Sequence, residues 1–362
     1  MTLKLHRHCG VACLSFRASS VAAFSSTTTT TTTASSRPPC KLWYNDVYEV
    51  PLPPTHRFPM EKYYHVRRRL QQILTPAQLA TFHVSPLASE ADLTTTHTAD
   101  YVARFLSNEF TARENRVVGF PWSPESVDRA LSSVGGTVAA THAVCRGETP
   151  VAGHIAGGTH HAFADRGEGF CVFSDIAVAA NVALRDYPQL VQKVLIVDLD
   201  VHQGNGNAVL FEDDPRVFTF SVHCTQNFFS KERVSDLDVE LPKGSGDDDY
   251  VALLRKHLKP LLEHTQPDLV YYQSGVDVSR DDRLGHLELT ADGVRRRNEL
   301  VYDAVLNLNA DGSSTSKKPP LLVVCMGGGY PKDLNPESSS FKAVVEHHAQ
   351  VYVGAAQACA RL

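Results

Sequence analysis

The sequence predicts an α/β fold in one domain, a mainly parallel sheet flanked on both faces by helices. Three observations predict it. From residue 151 onward, short apolar runs alternate with segments of helical length, which is how strand–helix–strand units read. One run, VLIVDLDVHQGNGN at 194–207, leads four aliphatic residues directly into acids, a histidine and a Gly/Asn cluster, as a buried strand does where it ends in a loop. The polar residues suited to chemistry follow these runs, and open parallel sheets place ligand sites outside the carboxyl ends of their strands. A chain of 362 residues with 43% hydrophobic content fills one large core, and it contains no internal repeat.

The first 40 residues are a different kind of sequence. They hold Lys4, Arg7, Arg17 and Arg37, a polythreonine tract at 27–33, and no acid precedes Asp46. That composition is expected of a transit peptide for the mitochondrion or plastid; the alternative is a disordered, untargeted tail, with the chain in cytoplasm or nucleus. The apolar piece at 11–14 is short for a secretory signal. The remainder, 41–362, is expected to fold as one domain.

Taken in order, folding is expected to begin near Leu42 and to pass Pro51, Pro53 and Pro54 irregularly. The later half of 56–70 is expected as a helix, 79–84 as a short strand, and 98–106 and 126–144 as helices. Gly135-Gly136 inside the last of these lowers helix propensity and so hints at close packing. Strands are then expected at 151–156, 194–197, 217–222, 268–272 and 321–326. Helices are expected from 175 to about 187, at 247–263 and 290–309, and from about 341, with a Gly/Ser/Lys-rich loop at 311–318.

Composition excludes some classes of function. The formal charge of −5 gives no global basic field for nucleic acid, and no apolar run reaches transmembrane length. The cysteines at 9, 13, 40, 145, 171, 224, 325 and 359 form no CxxC pair, which argues for a reducing compartment and against a thiolate zinc site.

Any metal must therefore be held by His and Asp. Asp200 and His202 are two apart, so an extended chain projects them to one side, and such ligands suit a divalent ion. Asp198 lies on the same face one step earlier, placed to support them. Asp277 in QSGVDVSRDD, after the run 268–272, is the natural third ligand, and three protein ligands leave coordination open as a catalytic metal needs. His160-His161 follow the run 151–156, and GGGY at 327–330 follows 321–326.

GGTHHAFADRGEGFC, VDLDVHQGNG, SGVD followed by DDRLG, and GGGY stand in the order and spacing of the histone deacetylase family, which this chain resembles over roughly residues 45 to 360. HRFPMEKY at 56–63 and VELPKGSGDDDY at 239–250 are most similar to its class IV branch and related bacterial proteins. The resemblance implies the arginase/deacetylase α/β fold and a zinc-dependent amidohydrolase acting on linear amides, a deacetylase or deacylase of N-acyl-lysine in histones or other proteins. It implies Asp200, His202 and Asp277 as zinc ligands, a set that also accepts Fe²⁺. His160 and His161 match the paired histidines beside the metal, with Asp198 and Asn205 as their partners. Tyr330 matches the tyrosine that bonds the substrate carbonyl. Gly169, Phe170 and Gly328 match the acyl-lysine tunnel, whose other wall is expected from Phe229 or Phe228. A structural monovalent cation, K⁺, is implied at Asp198, Asp200, His202, Ser221 and Val222.

Physical chemistry supports these roles. A histidine titrating near neutrality takes a proton from water and returns one to a departing amine. Two adjacent histidines need different environments to divide that work. His160 beside Asp198 is expected to be the electrostatic partner, and His161 beside neutral Asn205 the general base and acid. Tyr330 then donates to the developing oxyanion. The stretch GFPWSPES at 119–126 lacks the Asp with which class I members grip substrate backbone. Class IV members are associated with long fatty acyl groups and the bacterial relatives with small acetylated amines, so an acetylpolyamine-type amidohydrolase is one alternative. A non-catalytic acyl-lysine reader is another, against which the complete residue set counts.

Other features have plainer expectations. His347-His348 is expected on a surface helix and His154 as a satisfied core histidine. GNGNAV at 204–209 lacks a dinucleotide fingerprint's third glycine and is expected as a turn. Arg67-Arg68-Arg69 and Arg295-Arg296-Arg297 are expected on solvated helix faces. There is no GxSxG elbow for a serine hydrolase.

Overall fold

A computed structural model describes residues 38–53, 55–227, 234–306 and 318–362. Almost all of the expected transit segment, Phe228, Phe229 and most of the loop 311–318 lie outside the described residues. In chain order the elements begin with β1 (Cys40–Tyr44), α1 (Lys62–Leu74), β2 (Ala80–Val84), α2 (Glu90–Leu93), α3 (Ala99–Leu106), α4 (Ala112–Val118) and α5 (Pro124–Cys145). The middle of the chain forms β3 (Val151–Ile155), α6 (Asp175–Asp186), β4 (Val194–Asp198), α7 (Asn205–Leu210) and β5 (Val217–Cys224). The rest forms β6 (Leu237–Leu241), α8 (Asp247–Thr265), β7 (Leu269–Gln273), α9 (Ala291–Leu306), β8 (Leu321–Cys325) and α10 (Ser339–Arg361).

The strands make one sheet in the order β2-β1-β3-β8-β7-β4-β5-β6, every neighbouring pair parallel. The central strands are apolar on both faces because both are covered. Along β4, Leu195 and Val197 join one core while Val194 and Ile196 join the other; β7 divides Val270 and Tyr272 from Leu269 and Tyr271 in the same way. Helices α1, α8, α9 and α10 pack over the first face, and α5 and α6 over the second. This is the expected α/β fold. All six described cysteines are buried and free. Among the described residues no helix is long and apolar enough to cross a membrane.

Glycine does what the sequence hinted at in α5. A Cβ on Gly136 would lie 2.3 Å from His154 Nε2, and one on Gly135 2.0 Å from the Pro86 carbonyl. His154 is the expected core histidine, its Nδ1 3.0 Å from Thr137 Oγ1 and its Nε2 3.0 Å from Ser85 Oγ.

Several expectations need correction. GNGNAV is not a turn: Asn205 opens α7. Strands β1 and β6 and helices α2 and α4 were not expected from the sequence. His347 and His348 are buried, not exposed, because the apolar stripe Phe341, Val344, Val351 and Ala355 carries position 348 inward at the helical period. Arg297 is fully buried on the α9 stripe with Val294, Val301 and Val305. Its neighbours on the other stretch divide: Arg67 ion-pairs with the buried Asp46 at 2.7 Å and Arg69 with Glu346 at 2.8 Å, while Arg68 stays exposed.

Candidate active site

Strands β3, β8, β7 and β4 are consecutive in the sheet, so the loops leaving their carboxyl ends stand side by side. These are the loops that carry His160 and His161, Gly328 and Tyr330, Asp277, and Asp200 with His202. One pocket collects His160, His161, Asp200, His202, Gly328 and Tyr330 among its lining. Asp277, fully buried, stands beside Asp200 and His202.

Asp200, His202 and Asp277 offer ligand atoms that all lie within 4.8 Å of one another. His202 Nδ1 is 3.1 Å from Asp200 Oδ1 and 3.3 Å from Asp277 Oδ2. Backbone amides fix both carboxylates: Val201 N–H donates to Asp277 Oδ1 at 3.0 Å and Gly328 N–H to Asp200 Oδ2 at 2.8 Å. Apart from that 3.3 Å approach of His202 Nδ1, Asp277 Oδ2 is buried with no well-formed hydrogen bond, an arrangement that a bound cation would compensate. Burial, reinforced by the Asp200 charge, pushes the Asp277 carboxyl up to about 7. The donor set and this weakly partnered oxygen fit a divalent cation. Gly328 is obligatory here, since a Cβ would fall 2.0 Å from Asp277 Oδ2.

The two histidines have the unlike surroundings expected of them. His160 Nδ1 donates to Asp198 Oδ2 at 2.7 Å, and His161 Nδ1 to Asn205 Oδ1 at 2.6 Å. Burial lowers the His160 pKa, but the Asp198 and Asp200 charges outweigh it and raise it to about 9. Burial, with the His160 and His202 charges, holds His161 well below its usual range. His160 is thus the more readily charged of the pair and His161 the neutral one.

Tyr330 stands on the pocket wall, its hydroxyl pKa raised by burial, so it remains a donor at neutral pH. Its backbone N–H donates to Asp282, which also accepts from Leu284 and Gly285 N–H. Phe170 faces Tyr330 with ring centroids 6.0 Å apart and Phe58 at 5.1 Å. Phe170 sits at φ +68 and Gly169 at φ +55, in a two-residue hairpin closed by reciprocal bonds between Glu168 and Cys171. Positive φ at both central positions is the primed turn that hairpins favour; for a phenylalanine it stores strain of roughly 1–3 kcal/mol. Phe229, from which the opposite wall is expected, lies outside the described residues; among the described ones Phe58, Tyr63 and Leu284 also line the pocket.

Sequence reasoning missed three contributors. Lys62 is buried in the pocket lining, donates to the Gly329 carbonyl at 2.9 Å and lies 5.2 Å from the Tyr330 ring centroid. Arg297 donates to the Leu199, Ser274 and Gly275 carbonyls, tying the Asp200 loop to the Asp277 loop from below. Glu168 accepts from Asn205 Nδ2 at 3.3 Å. All three are charged, and charge in a sequence reads as solvent until packing is known. Asp198 and Ser221, named for a monovalent cation together with Val222, are register partners on β4 and β5.

Known proteins carry the same arrangement of sequence. The histone deacetylase domain model matches residues 56–347. An uncharacterized protein of Picosynechococcus sp. is 41% identical over 294 residues, 81% of this chain and 92% of that one. Histone deacetylase 2 of Arabidopsis thaliana is 32% identical over 259 residues, 69% of this chain and 63% of its own length. A histone deacetylase-like amidohydrolase of Pseudomonas aeruginosa is 31% identical over 279 residues, covering 73% of this chain and 70% of its own. With its parallel sheet, its Asp–His–Asp cluster and its paired histidines in one pocket, the chain belongs to the histone deacetylase family.

Proposed function

We propose that the protein hydrolyses the amide bond of N-acyl-lysine in proteins, with a zinc ion held by Asp200, His202 and Asp277. The observation that carries this reading is the unequal histidine pair beside the ligand cluster, His160 on a carboxylate and His161 on an amide. Zinc bound there would polarise the acyl carbonyl and bring a coordinated water's pKa towards neutrality; Fe²⁺ would serve the same ligands. His161, neutral at the working pH, takes the proton of the attacking water and later delivers one to the departing amine. His160, held cationic by Asp198, offsets the negative charge that develops on the acyl oxygen. Tyr330 donates its O–H to that oxygen, a contribution commonly worth a few kcal/mol. Phe170 and Phe58 give the lysine methylenes an apolar wall. Asp198, Asp200, His202, Ser221 and Val222 would hold a K⁺ ion, which would stiffen the ligand loop.

Two features weigh against small acetylated polyamines as the substrate. The groove beside Phe170 is lined by the exposed Arg57, and Arg283 is tied to it through the Arg57 carbonyl. A polycation would meet like charge there. The test uses protein lacking residues 1–37, loaded with zinc, and its Tyr330→Phe variant, on peptides bearing acetyl-lysine or myristoyl-lysine and on acetylputrescine. Peptide hydrolysis that falls at least 100-fold in the variant, roughly the cost of one oxyanion donor, is the expected result, and the better peptide sets the acyl class. Turnover of acetylputrescine alone would overturn the substrate assignment, and silence on all three with zinc bound would overturn the catalytic one.

A further inference from the structure

An asparagine beside a catalytic histidine poses a problem that an aspartate does not. A carboxylate presents oxygen whichever way it turns, whereas an amide has an accepting end and a donating end of nearly the same shape. The end that faces the imidazole decides which ring nitrogen carries the proton. At Asn205 both ends meet partners whose character is fixed. The oxygen end, 2.6 Å from His161 Nδ1, also accepts from the Gly206 backbone N–H at 3.0 Å. The nitrogen end is 3.3 Å from Glu168 Oε1, a carboxylate that can only accept. A flipped amide would set NH₂ against N–H and oxygen against carboxylate.

We propose that Glu168 is a positioning residue that holds the Asn205 amide with its oxygen on His161, so that His161 keeps its proton on Nδ1 and presents an unprotonated Nε2 to the reacting water. The proposal rests on the role given above to His161. His160 needs no such support because Asp198 accepts in either orientation. Glu168 is itself well placed to give it. It stands at the base of the hairpin that carries Phe170, with its N–H and carbonyl both bonded to Cys171 at 3.0 and 2.9 Å. It is only half-buried, so replacing it opens no hole in the core. The chain thus supplies, one residue further out, the negative charge that its neutral Asn205 lacks.

The experiment reads the tautomer directly and the turnover separately. In zinc-loaded protein carrying ¹⁵N-labelled histidine, His161 is expected to show a protonated Nδ1 and a bare Nε2. In Glu168→Ala the Nε2–H form should gain population, and kcat on an acetyl-lysine peptide should fall about threefold to tenfold, the scale of one partly exposed bond to a charged group. KM and bound zinc should not change. Glu168→Gln, which keeps an accepting oxygen, should fall less. With Asn205→Asp as the background the support is redundant, and Glu168→Ala should then leave kcat unchanged or raise it by removing carboxylate repulsion. An unaltered tautomer in Glu168→Ala, or an equal loss of kcat in both backgrounds, would overturn the proposal. Because the tautomer is read without turnover, a wrong substrate assignment shows itself separately, as inactivity with the tautomer shift intact.

Discussion

The roles proposed for His161 and Asp277 belong to different halves of the chemistry, and single substitutions separate them. His161→Ala should abolish turnover while zinc content stays near one per chain, since none of the three ligands is disturbed; full activity in that variant would sink the proton-transfer role. Asp277→Asn should instead lower zinc content measured after dialysis, and with it activity, because a charged candidate ligand becomes a neutral amide. Much at this scale was legible in the sequence. Spacing alone put Asp200 and His202 on one side of a strand end, and the order of loops brought in Asp277, His160, His161 and Tyr330. What stayed hidden were charged side chains buried by their neighbours. Lys62 and Arg297 spend their donors on backbone carbonyls, and a sequence carries no mark of which carbonyl will lack a partner. Replacing Lys62 with Met keeps the stem and removes the donor to Gly329. It should lower kcat for an acyl-lysine peptide about tenfold, the cost of one buried bond to a charged group, with zinc content unchanged.

At the scale of elements, the apolar strand runs were readable because both faces of the sheet are covered, which leaves almost no polar residue inside β4, β7 or β8. The elements missed are those with weaker signals: β1 and β6, one beside an edge strand and one at the edge, and the short helices α2, α4 and α7. Helix α10 was found but turned the wrong way round, since two adjacent histidines read as polar while the stripe from Phe341 to Ala355 sets the buried side. The glycine pair in α5 was read correctly, and its importance can be measured. Gly136→Ala gains helix propensity but sets a methyl 2.3 Å from His154 Nε2 and 2.5 Å from Ser85 Oγ. Overpacking of this kind costs roughly 1–3 kcal/mol, so the urea midpoint should fall despite the better helix former. A midpoint unchanged or raised would show that α5 can shift away from the sheet.

For the whole molecule, two buried neutral histidines should make stability decline with acid from about pH 6.5 downward. His97 donates through Nδ1 to the Phe163 carbonyl and accepts at Nε2 from Ser174 N–H, an arrangement open only to the neutral ring. Burial pushes His97 down to about 4 and His154 to about 3, from an ordinary value of 6.5. Their contribution is fully present above pH 6.5, and it drains away below because the unfolded chain binds protons that the folded one refuses. For His97 this amounts to something on the order of 3 kcal/mol by pH 4. Unfolding free energies measured from pH 7 to 4.5 should fall more steeply in the native protein than in His97→Asn; equal slopes would contradict it. The arrangement of β3, β8, β7 and β4 has a further consequence for how the molecule comes into being. Those neighbours in space are far apart along the chain, so their pairing must await long loop closures, and folding should be slow for a protein of this size. The Asp–His–Asp cluster does not exist until β7 has paired with β4. Metal uptake would therefore time that pairing, and a nascent chain released before β7 and its loop have emerged would lack Asp277 and the complete cluster.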